Sequence, residues 1–210
     1  MKMTLPALFS RLLCFCFSLL VLCICAAGCA SFPGKSLPEY TYADLAPAPE
    51  APEKKTCLIV KDGVGDREMT EAAIAILEKS GIFLKSPERC TATGDEKGNI
   101  LRIEFQNDLK AGNLAVAMIS GFISGATLMI VPGYARDEFV MTVKLRNDEF
   151  VKDYAYREYI ETWFHLSMLF MMHDHMPSTT VRKIYDRMIM NFMYDYSRDV
   201  QQDALVASGQ

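Results

Sequence analysis

The side chains best suited to chemistry lie in one short run, Met171-Met172-His173-Asp174-His175-Met176. Imidazole and thioether groups are ligands that copper prefers, and His with Asp is a combination that suits zinc. Met172, His173 and His175 are therefore a candidate metal site, with copper ahead of zinc. The two histidines are two residues apart, so they would point in different directions on a helix. The alternative interpretation is a helix C-terminus, where the helix dipole favours histidine.

Other catalytic patterns are absent from the sequence, which contains no Gly-x-Ser-x-Gly and no His-Glu-x-x-His motif. Gly63 and Gly65 stand between a predicted strand and a predicted helix, the usual place of a phosphate-binding loop. The third glycine of the dinucleotide fingerprint is replaced by Glu68, and no Gly-Lys-Ser/Thr follows. We therefore predict no catalytic residue, no cofactor and no enzyme activity.

The N-terminal residues have the pattern of an export signal. Lys2 and Arg11 precede an apolar stretch, residues 12–27, which ends in small residues. A membrane-spanning helix needs ~20 apolar residues, and this stretch is shorter. We predict that residues 1–28 are a signal peptide that is removed from the mature protein.

A cysteine directly follows the small residues. Ala26-Ala27-Gly28-Cys29 resembles the lipobox of bacterial lipoproteins, although that family prefers leucine where this chain has Ala26. The resemblance implies that Cys29 carries a diacylglycerol and that its amino group receives an acyl chain such as palmitate. It also implies a lipid-bilayer anchor in the outer membrane, facing the periplasm, because no aspartate follows the cysteine. The alternatives are an ordinary secretory signal and a retained N-terminal anchor.

Cysteine use follows from this location. Of the seven cysteines, four lie in the predicted signal peptide and one is Cys29, which leaves Cys57 and Cys90. An exported chain meets an oxidising compartment, where disulfide bonds persist. We predict a Cys57–Cys90 disulfide, which would stabilise the fold by ~3–4 kcal/mol in the chain-entropy model. The alternative is two free, buried thiols.

The charge of the chain narrows the class of partner. Without the two basic residues of the signal peptide, 20 Lys and Arg face 26 Asp and Glu, a net charge of −6. Nucleic-acid partners usually call for a basic surface, so we predict none. We expect an envelope protein partner or self-association.

The rest of the chain predicts one α+β domain over residues 56–203. Residues 29–55 contain five of the nine prolines and few large apolar residues, so they predict a lipidated, Pro-rich tether. Residues 204–210 predict a disordered tail. The domain begins with a β-α-β-β unit: a buried strand at 56–61, a helix at 66–80, a strand at 89–93 and a strand at 101–105 paired with it.

The central segment, residues 114–131, contains 18 residues without a charge and includes Gly121 and Gly125. Small residues at this spacing let apolar helices approach closely. We predict a buried small-residue helix to about Gly125, then a core strand at 127–131. The alternative is a segment that inserts into a bilayer or an oligomer.

The C-terminal part predicts a β-hairpin and two helices. Strands at 138–146 and 150–160 flank a turn at Asn147-Asp148, and helices follow at 161–172 and from about Pro177 to Asp203. Six apolar residues spaced three or four apart predict one buried stripe on the last helix: Val181, Ile184, Met188, Phe192, Tyr196 and Val200.

These observations leave three functions. The first is a membrane-anchored envelope lipoprotein with a structural or interaction role, such as a scaffold or assembly factor in the periplasm. The second is a metal-handling lipoprotein that uses residues 171–176. The third is an oligomeric membrane-inserting protein that uses residues 114–131.

Overall fold

The structure is a computed structural model that describes residues 28–45, 56–62, 67–80, 88–89, 99–108, 110–146, 151–165, 167–168, 171 and 173–207. Its strands are β1 (Gly28–Pro33), β2 (Thr56–Asp62), β3 (Glu88–Arg89), β4 (Asn99–Asp108), β5 (Gly133–Arg146) and β6 (Val151–His165). Its helices are α1 (Arg67–Lys79), α2 (Ala111–Ala126) and α3 (Pro177–Ala207), with a short 3-10 turn at Tyr42–Asp44. The predicted α+β class is confirmed.

The six strands form one sheet in the order β1-β6-β5-β4-β2-β3. β2 runs parallel to both β3 and β4, and β4 runs antiparallel to β5. The helix α1 returns the chain to the starting end of the sheet, which a parallel neighbour of β2 requires. The predicted pairing of the strand at 89–93 with the strand at 101–105 is wrong, because β3 and β4 lie on opposite sides of β2. The apolar Leu-Ile-Val run of β2 suits a strand that has a neighbouring strand on each side.

The chain divides into two compact units. Of the described residues, the small unit contains 28–32, 111–136 and 161–179, and the large unit contains the others. Strands β5 and β6 contribute residues to both units.

The hydrophobic core belongs to the large unit. Helix α3 turns the predicted stripe toward the core, because apolar residues that recur with the helical period share one face. Ile184, Met188 and Phe192 are buried, and the partly buried Val181 and Tyr196 pack against the core. Alternate residues of β4 and β5 are buried as their two-residue period predicts. The largest fully buried apolar side chains are Leu77, Leu101, Ile103, Phe105, Met141, Ile184, Met188, Ile189, Phe192 and Met193.

Helix α1 agrees with its prediction. Its sequence contains three alanines and three glutamates, and both residue types favour helix. Ala73 and Leu77, four residues apart, are fully buried in the core, and Ile74 and Ile76 pack against it.

Residues 33–45 are packed in the large unit, where the sequence predicts part of a tether. The Glu158 carboxylate, in a residue that is 1 % exposed, accepts hydrogen bonds from the backbone N–H groups of Ser36 at 3.2 Å and Leu37 at 3.1 Å. Arg187 Nη1 lies 3.3 Å from Glu158 Oε2 and also donates to the carbonyl of Gly34. A buried ion pair therefore supplies the backbone partners of this segment.

Side chains of the same segment also contact the core. Asn191 Nδ2 donates to the carbonyl of Pro38 at 2.9 Å, and the Tyr40 ring stacks on Tyr194 with centroids 3.9 Å apart. Leu37 and Leu45 pack against the hydrophobic core. The tether interpretation therefore does not hold for residues 29–45, since residues 28–33 also form β1; residues 46–55 lie outside the described part.

Three further predictions differ from the structure. The predicted helix at 161–172 is wrong in its first part, because residues 161–165 continue strand β6. Thr162, Trp163 and Phe164 are β-branched or aromatic and favour a strand. Residues 127–131 form a turn rather than a core strand. Residues 204–207 are helical, because α3 continues to Ala207. The predicted turn at Asn147-Asp148 lies outside the described residues.

Candidate interaction surface

Helix α2 buries its polar side chains and exposes its apolar ones. Asn113, Ala117, Ser120 and Ser124, spaced four, three and four residues apart, are its least exposed residues. This spacing places them in one stripe along the helix. On the opposite face, Phe122 is 79 % exposed. A helix at a water-facing surface has the reverse arrangement. The predicted burial of this helix is therefore wrong, because within the described residues the small, polar stripe faces the protein and the apolar side is exposed.

The polar stripe attaches α2 to the start of strand β5. The Ser120 hydroxyl donates to the carbonyl of Tyr134 at 2.6 Å and accepts from the N–H of Tyr134 at 3.1 Å. A Cβ added at Gly133 would lie 3.1 Å from the Cβ of Ser124, so glycine permits this close approach. Ser124 is 2 % exposed, and its Oγ has no hydrogen-bond partner in the described part of the chain. Burying such a hydroxyl costs ~1–3 kcal/mol.

The turn after α2 holds large apolar residues in a conformation that favours glycine. Leu128 has φ 51° and Met129 has φ 61°, both in the left-handed region. This region costs ~1–2 kcal/mol for a residue with a Cβ. The backbone N–H of Met129 donates to the carbonyl of Ser124 at 2.7 Å, which caps the helix. Thr127 Oγ1 accepts from the N–H of Val131 at 3.2 Å and closes the turn.

Exposed apolar residues are concentrated in the small unit. Of the thirteen large apolar side chains exposed in the described residues, eleven belong to it, and the other two are Tyr42 and Val151. We use "the apolar surface" for nine of them on α2 and its turn: Leu114, Val116, Met118, Ile119, Phe122, Ile123, Leu128, Ile130 and Val131. Exposed patches of this kind mark sites of interaction with protein or membrane.

Charge is absent along the whole of this region. Residues 111–135 contain no acidic, basic or histidine side chain, and Lys110 and Arg136 bound the stretch. Gly121 and Gly125 are exposed, and a Cβ at either position would meet no atom within 4 Å. The serine and asparagine spacing and this charge-free stretch are the sequence signals from which the reversed helix could have been predicted.

The end of the charge-free stretch carries a polar and aromatic cluster. The Tyr134 hydroxyl donates to Glu161 Oε1 at 3.1 Å, and its ring packs against Trp163 with centroids 4.9 Å apart. Burial, followed by the hydrogen bond from the phenol to Glu161, raises the pKa of Tyr134 above its ordinary value. The phenol therefore stays protonated at any physiological pH and acts as a hydrogen-bond donor.

Cys29, the predicted lipidation site, lies in strand β1 with a free thiol and is half-buried. Ala30 and Ser31, the next two residues, are fully buried. The N–H of Ser31 donates to the carbonyl of His175 at 2.8 Å, and its hydroxyl bonds that of Thr162 at 2.8 Å. The backbone is therefore already part of strand β1 at this cysteine, with no spacer between it and the small unit.

The predicted metal ligands are not brought together in the described residues. His173 is exposed, whereas the His175 ring packs on Phe32 with centroids 4.6 Å apart. Met172 lies outside the described residues. His165 bonds Ser167 Oγ at 2.6 Å through Nδ1. No group of three or more His, Cys, Asp or Glu placed to hold a metal ion occurs in the part of the chain that the structure describes.

The predicted disulfide is not tested by the structure. Cys57 lies in β2, with its backbone opposite Glu88 of β3. The side chain of Cys57 and the whole of Cys90 lie outside the described residues, so this bond stays a prediction.

None of the described helices combines the length and the hydropathy that crossing a bilayer requires. Helix α2, the most apolar, has 16 residues, fewer than the ~20 that span a hydrocarbon core.

Comparison with known proteins gives no assignment. No family model matches the chain, and no curated protein matches its sequence.

Proposed function

We propose that the protein is a membrane-anchored cell-envelope lipoprotein with a non-catalytic, structural or interaction role in the periplasm, and that the apolar surface is its interaction site. The reversed polarity of helix α2 is the observation that carries this proposal. In water, the serines of α2 would face outward and Phe122 would face inward. The arrangement is favourable only where something apolar covers the outer face.

The energy available from covering this surface is large enough for a stable association. Burying a Leu, Ile, Phe or Met side chain contributes about 1.5–3 kcal/mol. Phe122, Met118 and Ile130 are the most exposed residues of the surface. Together these three would contribute several kcal/mol, and the six other members of the surface would add to that.

The anchor is supported by the lipobox resemblance at residues 26–29. Each buried acyl methylene contributes ~0.8 kcal/mol to membrane binding, so two or three chains make release negligible. The mature chain carries a net charge of −6 and offers no cluster of Lys and Arg for anionic lipid. The acyl chains must therefore provide the anchoring.

The anchor is tested by mass spectrometry of the mature protein and by incorporation of labelled palmitate. We expect the N-terminal peptide to begin at Cys29 and to carry the acyl groups. Cys29→Ser should abolish the label, whereas the matched Cys57→Ser should retain it. A bare Cys29, or a main species that still contains residues 1–28, would contradict the anchor.

The interaction site is tested by photo-crosslinking in intact cells. A photoreactive amino acid replaces Phe122 in one variant and Val151, an exposed apolar residue of the large unit, in the control. We expect adducts to lipid or protein from position 122 and severalfold fewer from position 151. Equal and low yields at both positions would mean that the surface faces water and would overturn its assigned role.

A further inference from the structure

We infer that the apolar surface is covered by lipid: it lies in the same membrane leaflet that holds the acyl chains of Cys29. This inference rests on the proposed function, because the acyl anchor brings the surface to the bilayer. The protein would then hold the membrane through two contacts of the small unit, one covalent and one formed by helix α2 and its turn.

No spacer separates the predicted anchor, Cys29, from the folded small unit. An extended residue spans at most ~3.3–3.6 Å, so a long tether could hold a domain far from the bilayer. Here Cys29 is itself part of β1, and Ala30 and Ser31 are fully buried. An acylated Cys29 therefore keeps the small unit against the headgroups.

The apolar surface belongs to the same compact unit as Cys29. Between Lys110 and Arg136 the chain carries no charged side chain that would resist entry into hydrocarbon. The polar side chains of α2 are turned toward the protein, which is how helices in lipid arrange such groups. Water on the outer face would favour the opposite arrangement.

The turn after α2 has a strained backbone at two apolar residues. Leu128 and Met129 keep apolar side chains at left-handed positions where glycine would be unstrained. Strain of this kind is retained at functional sites. Leu128 and its neighbours Ile130 and Val131 are exposed, so the strained turn presents apolar side chains beside the face of α2.

The contact lies on the leaflet and does not cross it. One side of α2 is occupied by strand β5 through Ser120 and Gly133. A helix with one side held by protein and the other apolar enters the leaflet to a depth of ~5–10 Å. Because residues 111–135 carry no charged side chain, we expect this contact to need no anionic lipid and to be little affected by salt.

The experiment uses the full-length, acylated protein in phosphatidylcholine vesicles, with brominated acyl chains as quenchers of tryptophan fluorescence. The chain has one tryptophan, Trp163. In a Trp163→Phe background, Phe122→Trp reports from the apolar surface and Val151→Trp is the matched control, since Val151 is 64 % exposed. We expect severalfold stronger quenching and a blue-shifted emission for the Phe122→Trp protein, unchanged by added salt.

Each result decides the inference. Equal quenching of the two proteins in vesicles that they demonstrably bind would overturn the lipid contact and leave the anchored lipoprotein intact. A blue shift of the Phe122→Trp emission without quenching, together with a dimer or a protein cross-link, would also overturn it in favour of a protein occupant. Failure to bind vesicles, with a bare Cys29, would instead remove the anchor.

Two further measurements keep the test independent of the tryptophan exchange. In the otherwise unchanged protein, a lipid with a photoreactive acyl chain should label residues 114–131 severalfold more than helix α3; equal labelling would overturn the inference. Leu128→Gly removes an apolar side chain and relieves the left-handed backbone. It should therefore reduce this labelling without lowering the unfolding temperature, and unchanged labelling would count against a role for the turn.

Discussion

Helices α2 and α3 bury opposite kinds of side chain. Helix α3, in the large unit, buries Ile184, Met188 and Phe192 and follows the rule for a water-facing surface. Helix α2, in the small unit, buries Ser124 and leaves Phe122 exposed. The difference teaches that the apolar content of a helix does not say which of its sides faces the protein.

Buried polar groups show the same contrast. Glu158 of the large unit accepts hydrogen bonds from three backbone N–H groups and from Arg187. Ser124 of the small unit is equally buried, but its hydroxyl has no partner among the described residues. Pairing is the norm for buried polar groups in folded proteins, so Glu158 follows the rule and Ser124 departs from it.

Truncating one phenylalanine in α3 and one in α2 is the most direct test of the difference between the two helices. Phe192→Ala should lower the free energy of unfolding by about 3–5 kcal/mol, because Phe192 is fully buried in the core. Phe122→Ala should change it by no more than ~0.5 kcal/mol, because the side chain is exposed. Urea unfolding of the two variants in the same mild detergent measures both. A large loss for Phe122→Ala would mean that α2 is covered by the chain itself.

The next contrast removes one buried polar side chain from each unit. Glu158→Ala leaves Arg187 and three backbone N–H groups, those of Ser36, Leu37 and Tyr159, without the carboxylate. We therefore expect a loss of about 3 kcal/mol. Ser124→Ala removes a hydroxyl that has no partner and introduces a better helix former, so the change should lie between zero and a gain of ~1 kcal/mol.

Hydrogen exchange locates the effect of the first change. The amides of Ser36 and Leu37 should exchange much faster in Glu158→Ala, because that carboxylate is their hydrogen-bond acceptor. Unchanged protection of both amides would contradict the idea that the ion pair holds residues 34–39 on the large unit.

The smallest expected difference between the two units is the effect of one tyrosine in each on stability at high pH. Burial, and then a hydrogen bond from the phenol to Asp195 at 2.8 Å, raises the pKa of Tyr156. The folded state therefore keeps this proton above pH ~10, where the unfolded chain loses it. The Tyr156 phenol therefore makes its full contribution to the free energy of unfolding below that pH, and this contribution falls as the pH rises further.

Tyr156→Phe should accordingly lower stability by ~1–2 kcal/mol at neutral pH and make the alkaline decline shallower. Tyr134→Phe in the small unit should cost less than ~1 kcal/mol, since its phenol is only part-buried. Unfolding curves between neutral pH and pH ~11 test both variants. An unchanged alkaline slope in Tyr156→Phe would assign the decline to other groups.

The helical and strand periodicities of the sequence predicted the secondary structure of the large unit well. The stripe of α3 and the alternation of β4 and β5 were predicted correctly, because one face of each element is buried in a single core. The strand at residues 161–165 was missed. There, pairing within the sheet, including the contact of Thr162 with Ser31 at 2.8 Å, outweighs a local pattern that resembles a helix.

The Pro-rich segment failed as a prediction for a similar reason. Residues 33–45 have few apolar side chains, so composition favours a tether. Their backbone is held by Glu158, which is 122 residues from Ser36 along the chain. A pairing over this distance leaves no periodic trace in the local sequence.

The sequence alone determined the α+β class, the periods of the helices and strands, the charge-free stretch at residues 111–135 and the lipobox-like residues before Cys29. These are local properties, set by side-chain size, polarity and spacing. Only the tertiary structure decided that β2 separates β3 from β4, that an ion pair holds residues 34–39 and that α2 turns its serines inward. Each of these depends on which distant backbone and side-chain groups meet, because a buried hydrogen-bonding group takes the partner that the fold brings to it.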